Sequence, residues 1–185
     1  MVIKVALVEY ASDPRFRQFS LEVTLQVLSN GMLRVTYELV GNIAQLLIPE
    51  VLPATECAGL WQHTCFELFA GAQGRTDYRE FNFSPSTQWA AYAFSDYRLP
   101  EVWHLQQNPQ IEVIRQANRL VVIARIAIHD LPVDIKALPW QIGLSAVLEM
   151  QNGHLSYWAL RHPVAQADFH HRDGFTVLLP SDELS

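Results

Sequence analysis

Cysteine is scarce in this chain: Cys57 and Cys65 are the only two in 185 residues, too few and too close together to make a disulfide framework. Charge is also sparse, at 17% of residues, and basic residues are outnumbered, giving a formal net charge of -6. No cluster of Lys or Arg offers the electrostatic footprint that a phosphate backbone needs, so nucleic acid is not an expected partner. No apolar run approaches the ~20 residues that cross a bilayer, so no membrane association is expected. The opening apolar run is cut by Glu9 and by Asp13-Pro14 before an export signal develops; with two free thiols, that makes the cytoplasm the expected compartment. No stretch shows the periodicity of an amphipathic helix of ~10 residues. Repeats, low-complexity tracts and composition shifts are missing too, so residues 1–185 are expected to form one domain. A chain of this length can bury roughly 70% of its unfolded surface in one core.

What is present is alternation. Leu21, Val23, Leu25 and Val27 alternate with polar residues; after Ser29-Asn30-Gly31 the pattern resumes at Leu33, Val35, Tyr37 and Leu39. Asn-Gly between two such runs predicts a hairpin, with positive φ expected at both turn residues. Ile111–Ile114 and Leu120–Ile128 predict a second hairpin, whose nearly all-apolar return strand belongs in the middle of a sheet. Ile142–Met150 and Ser156–Leu160 flank Gln151-Asn152-Gly153, and Phe175–Leu179 predicts a closing strand. Val2–Val8 and Gln88–Phe94 also have strand character; Tyr97–Pro109 is expected to be a loop, and Pro132 and Pro139 bracket a connection with room for one helical turn. About ten short strands separated by turn signals predict an all-β, two-sheet antiparallel sandwich.

The chemistry concentrates between Leu60 and Pro85. If Leu60–Ala70 and Tyr78–Ser84 pair as antiparallel strands, alternation puts Trp61, His63, Cys65, Glu67 and Phe69 on one face with Tyr78, Glu80 and Asn82. That surface combines two carboxylates, an amide, an imidazole and aromatic rings. Trp61 and Glu67, then Tyr78-x-Glu80-Phe81-x-x-x-Pro85, then Glu149-x-x-Asn152-Gly153 before Trp158, and finally Phe169-His170-x-x-Asp173-Gly174-Phe175 form an ordered set. In this order the set resembles the DOMON-like domains related to family 9 carbohydrate-binding modules. The resemblance implies a jelly-roll-like β-sandwich that holds its ligand on the face of one sheet. It also implies that Trp61 and Trp158 clamp a sugar, that Glu67 and Asn152 make polar contacts, and that calcium serves a structural role. Glu80 and Asn82 match by face, and His63, Tyr78 and Glu149 complete the expected ligand-binding set.

Three functions fit these residues. A non-catalytic module would stack a sugar or similar small polar ligand on aromatic rings and hydrogen-bond its hydroxyls to carboxylates and amides. An enzyme would use Glu67 and Glu80 as a carboxylate pair ~5 Å apart, or a metal held by Asp168, His170, His171 and Asp173. No metal-ligand spacing of the kind seen in zinc sites supports the latter, and the cluster also suits a turn anchor before the last strand. A third reading makes the aromatic face a protein interface. Oligomeric state is not fixed by any of these features.

Overall fold

The computed structural model describes residues 1–132 and 139–180; the helical turn anticipated between Pro132 and Pro139 falls almost wholly outside them. Twelve strands form: β1 (Val2–Glu9), β2 (Ser20–Val27), β3 (Met32–Val40), β4 (Cys65–Ala72), β5 (Tyr78–Phe83), β6 (Trp89–Asp96), β7 (Leu99–Glu101), β8 (Gln110–Gln116), β9 (Arg119–Ala127), β10 (Trp140–Glu149), β11 (Leu155–Ala159) and β12 (Val177–Leu179). Helical structure among the described residues is limited to three-residue 3-10 turns. The fold is the expected two-sheet antiparallel β-sandwich. One sheet runs β8-β9-β3-β2-β1, and the other β7-β6-β5-β4-β10-β11 with β12 also beside β10.

Strand β1 belongs to both layers. Val2–Leu7 pair with β2, and then Val8 and Glu9 pair with Ala159 and Trp158 of β11. Long connections make β3 a neighbour of β9 and β4 a neighbour of β10, the crossing pattern expected of a jelly-roll-like chain. Two sequence expectations change in detail. The first hairpin turns through four residues and only Gly31, at φ 77°, takes positive φ, while Asn30 does not. The segment after Tyr97 contributes the short edge strand β7 as well as loop.

The core lies between the sheets, where Val23, Leu25, Val35, Tyr37 and Leu39 meet Phe66, Leu68, Phe81, Phe83, Leu144 and Leu148. Alternation decides what is left for the other face of the second sheet: Phe66 and Leu68 point into the core, so Glu67 and Phe69 point away from it. A single hydrogen bond ties the layers directly under Glu67. The Tyr37 hydroxyl, fully buried on β3, donates to the Glu67 carbonyl at 2.6 Å. Burial pushes that phenol well above its usual range and keeps it a neutral donor. Tyr37→Phe therefore leaves a buried carbonyl short of a partner and is expected to lower unfolding free energy by about 1–3 kcal/mol in urea titration, with unchanged m-value.

Candidate functional site

The outward face of the second sheet carries the residues singled out by alternation, but it is not an open surface. Glu67 lies directly opposite Asn82, and Phe69 opposite Glu80, across the β4–β5 pair. Tyr92 and Phe94 of β6 stand beside Glu80 and Tyr78, which settles the orientation of that strand: Trp89 and Ala91 go to the inner side. The chain between Gln166 and His170 returns along this face and borders a half-open cavity of about 860 Å³, a volume suited to a small organic ligand. Glu67 and Glu80 line it. Trp61, Tyr92, Phe94, Tyr157 and Phe169 supply its aromatic walls.

Trp61 reaches this cavity by a route the strand pattern did not indicate. Gly59 takes a left-handed conformation at φ 78°, Leu60–Gln62 form a 3-10 turn, and β4 begins only at Cys65. Trp61 therefore projects from a turn, 52% exposed, while His63 points outward and pairs with Glu149 at 2.8 Å. Thr64 fixes this approach by donating to the Leu47 carbonyl and accepting from the Glu149 amide. His63 and Glu149 do not line the cavity.

Trp158 is a correction. It lies opposite Ala146 of β10, whose side chain faces the core, and is only 5% exposed. The ring therefore packs inside the sandwich and has no route to a ligand on the outer face. Its neighbour Tyr157, opposite Val147, takes the outward position and lines the cavity. Asn152 is also displaced from its expected role: it sits exposed in the β10–β11 turn, where its side-chain oxygen accepts from the His154 amide.

The polar floor is built from few bonds. Ser145 donates to Glu67 at 3.2 Å, and the Asn82 amide donates to Glu80 at 2.9 Å. The second oxygen of each carboxyl has no hydrogen bond among the described residues. Asn82 is fully buried and its own carbonyl oxygen also lacks a partner among them. Burial raises the Glu67 pKa well above the usual carboxylate range, and the charge of Glu80 adds to that rise. Burial likewise pushes Glu80 up to about 7, with the Asn82 bond and the Arg98 charge opposing it.

A relay closes one side of the cavity. The Tyr78 hydroxyl accepts from the Arg98 amide at 3.1 Å and sits 2.8 Å from His170 Nδ1. With its oxygen engaged by that amide, the phenol is placed to donate a hydrogen bond to Nδ1 in the tautomer that carries the His170 proton on Nε2. Nε2 lies 3.7 Å from Glu80, too far for a hydrogen bond. Burial, helped by the Arg98 charge, lowers the His170 pKa to about 4, so the ring is neutral near pH 7. Burial also raises Tyr78 to about 12. Asp168 anchors the covering segment by accepting from Tyr97 at 2.7 Å and pairing with Arg98 at 2.9 Å. The Tyr10 hydroxyl donates to the Ala165 carbonyl at the other end of that segment.

The four residues considered as metal ligands are thereby dispersed. Asp168 holds Arg98, His170 holds Tyr78, and His171 accepts from the Asp173 amide within the turn before β12. Among the described residues no three His, Cys, Asp or Glu side chains are arranged to hold a metal ion. That donor set does not fit the several carboxylate oxygens that calcium usually gathers. Tyr10, Tyr92, Phe94, Arg98, Tyr157 and Phe169 are among the lining residues that sequence reasoning did not place at the site. The Tyr92/Phe94 spacing of two and the motif that begins at Phe169 were the available signals.

No protein-family model matches the chain, and no curated protein matches it by sequence. Comparison of folds does find relatives. A protein from Bacteroides uniformis proposed to bind carbohydrate aligns with a TM-score of 0.63 at 10% identity, over 94% of this chain and 84% of its own. A family 9 carbohydrate-binding module from Caldicellulosiruptor kristjanssonii in complex with glucose aligns with a TM-score of 0.55 at 11% identity, over 85% of this chain and 73% of its own. Its cellotriose complex gives 0.54 at 11% identity, over 89% and 75%. The chain thus shares the β-sandwich fold of carbohydrate-binding proteins.

Proposed function

We propose that this protein binds a carbohydrate, or a similar small polar ligand, in the cavity over the second sheet and does so without catalysis. The observation that carries this reading is the pairing of two carboxyls, each with an oxygen left over for a ligand, with five aromatic walls in one cavity of ligand size. Sugar rings present C–H faces to aromatic rings and hydroxyls to carboxyl oxygens, so one small ligand satisfies both. The shared fold with sugar-binding modules points the same way.

A glycosidase needs one carboxyl held ionised and another held protonated. Burial raises both Glu67 and Glu80, and the charge of Glu80 raises Glu67 further, so the two titrate as a pair. The non-catalytic reading is supported by their place on one floor of the sheet and by the fold shared with sugar-binding modules.

Calorimetric titration with mono- and oligosaccharides tests the reading. Saturable binding is expected in the millimolar to micromolar range, roughly -4 to -8 kcal/mol. Trp61→Ala is expected to weaken it at least about tenfold, with a stability change within about 0.5 kcal/mol because the ring is half exposed. No heat from any saccharide, or product release from a glycoside, overturns the proposal.

A further inference from the structure

We infer that the ligand carries a protonated amine, and that the cavity is built for an amino sugar whose ammonium group lies between Glu67 and Glu80. This deepens the carbohydrate reading and rests on it. The two carboxyls are diagonal neighbours on adjacent strands, since Glu67 faces Asn82 and Glu80 is two residues earlier on the same side. Such diagonal side chains are within mutual reach. Each has an oxygen without a hydrogen bond among the described residues; the carbonyl oxygen of the fully buried Asn82 also lacks a partner among them but does not line the cavity. The floor therefore offers acceptors in excess of donors. An ammonium group is the complement: three donors and no acceptor.

The cations that might have neutralised the floor are largely committed elsewhere. Arg98 pairs with Asp168 at 2.9 Å but also lines the cavity, where its charge offsets only part of that of Glu80, and Arg79 points to the other side of the sheet and pairs with Glu101 at 2.8 Å. His170 faces Glu80 as a neutral ring. The remaining titratable neighbours, Cys65, Tyr78 and Tyr92, bring no positive charge. Two like carboxyls buried side by side therefore depend on a proton, or on a ligand cation, for their neutrality. The aromatic walls favour the ligand cation as well, because ring faces attract an ammonium. A neutral sugar leaves that charge imbalance in place.

Titration of the full chain with glucosamine, N-acetylglucosamine and glucose near pH 6.5 separates these cases, repeated in two buffers of different ionisation enthalpy. The inference expects glucosamine to bind at least tenfold more tightly than the other two and to release protons as the carboxyls ionise. In Glu67→Gln and Glu80→Gln, both checked for folding by circular dichroism, the ratio of glucosamine to glucose affinity is expected to fall at least tenfold, whatever the change in glucose affinity itself. Glucose binding as tightly as glucosamine, or glucosamine binding without proton release, overturns the amine and leaves carbohydrate binding intact. Silence from all three sugars, with the protein folded, overturns both.

Discussion

Alanine at Trp158 is expected to cost about 3–5 kcal/mol of unfolding free energy, whereas alanine at Tyr157 next to it is expected to leave the core intact and weaken ligand binding. The two side chains leave β11 in opposite directions. Trp158 stands opposite Ala146 among the residues that fill the sandwich, and truncating it opens a cavity that packed neighbours fill only in part. Its indole nitrogen has no partner among the described residues, so the loss is one of packing and not of hydrogen bonding. Tyr157 shares the ligand cavity with Trp61, and removing it is expected to cost affinity about tenfold, or about 1.4 kcal/mol. Urea unfolding and calorimetry on the same two variants give the full comparison. If Trp158→Ala loses binding while keeping stability, the β10–β11 register described above is wrong by one residue.

That contrast also shows where the sequence was legible. Glu67, Glu80 and Asn82 could be placed on one face because their strands alternate cleanly: Phe66, Leu68, Phe81 and Phe83 mark the core side without ambiguity. Around Tyr157 and Trp158 the one polar residue, Ser156, alternates onto the same side as Trp158 and is itself buried, so period-two reading is misdirected there. Placing Trp158 at a ligand rested on resemblance, and the pairing of Ala146 with Trp158 reverses it. The rim of the site was less legible still. It depends on Asp168 meeting Tyr97 and Arg98, and on His170 meeting Tyr78, contacts that span 70 residues or more of chain. No local pattern encodes such a meeting. Asp168 and His170 stood out in sequence as titratable groups, yet their partners, which decide what they do, did not.

Glu80→Gln is expected to make the protein more stable than the wild type above pH 7, by an amount that vanishes in acid. The sign follows from the direction of the shift. Glu80 holds its proton up to about 7 in the folded state, while the unfolded carboxyl loses it near its ordinary 4.5. Below 4.5 both states are protonated and the group costs nothing. Between 4.5 and about 7 the unfolded state alone ionises, so stability falls with rising pH; above that the loss is complete, at a scale on the order of 3 kcal/mol. Glutamine keeps an oxygen to accept from Asn82 and never ionises, so the variant escapes this loss. His170 works in the opposite sense. Its folded pKa is lowered to about 4 from 6.5, so its stabilisation is present above 6.5 and is lost as pH falls towards 4. In the wild type the two trends overlap and partly cancel. In Glu80→Gln the buried Glu67 carboxyl still opposes the His170 trend, so stability is expected to fall less with rising pH between 4.5 and 7 than it does in the wild type. Urea unfolding of both proteins at half-unit steps from pH 4 to 8 reads this directly. Parallel wild-type and variant curves would sink it, because they would mean that the Glu80 carboxyl titrates alike in the folded and unfolded chains. A buried carboxyl kept at the cost of stability is what a ligand site requires, since the energy withheld from the fold is released when a ligand supplies the missing donors.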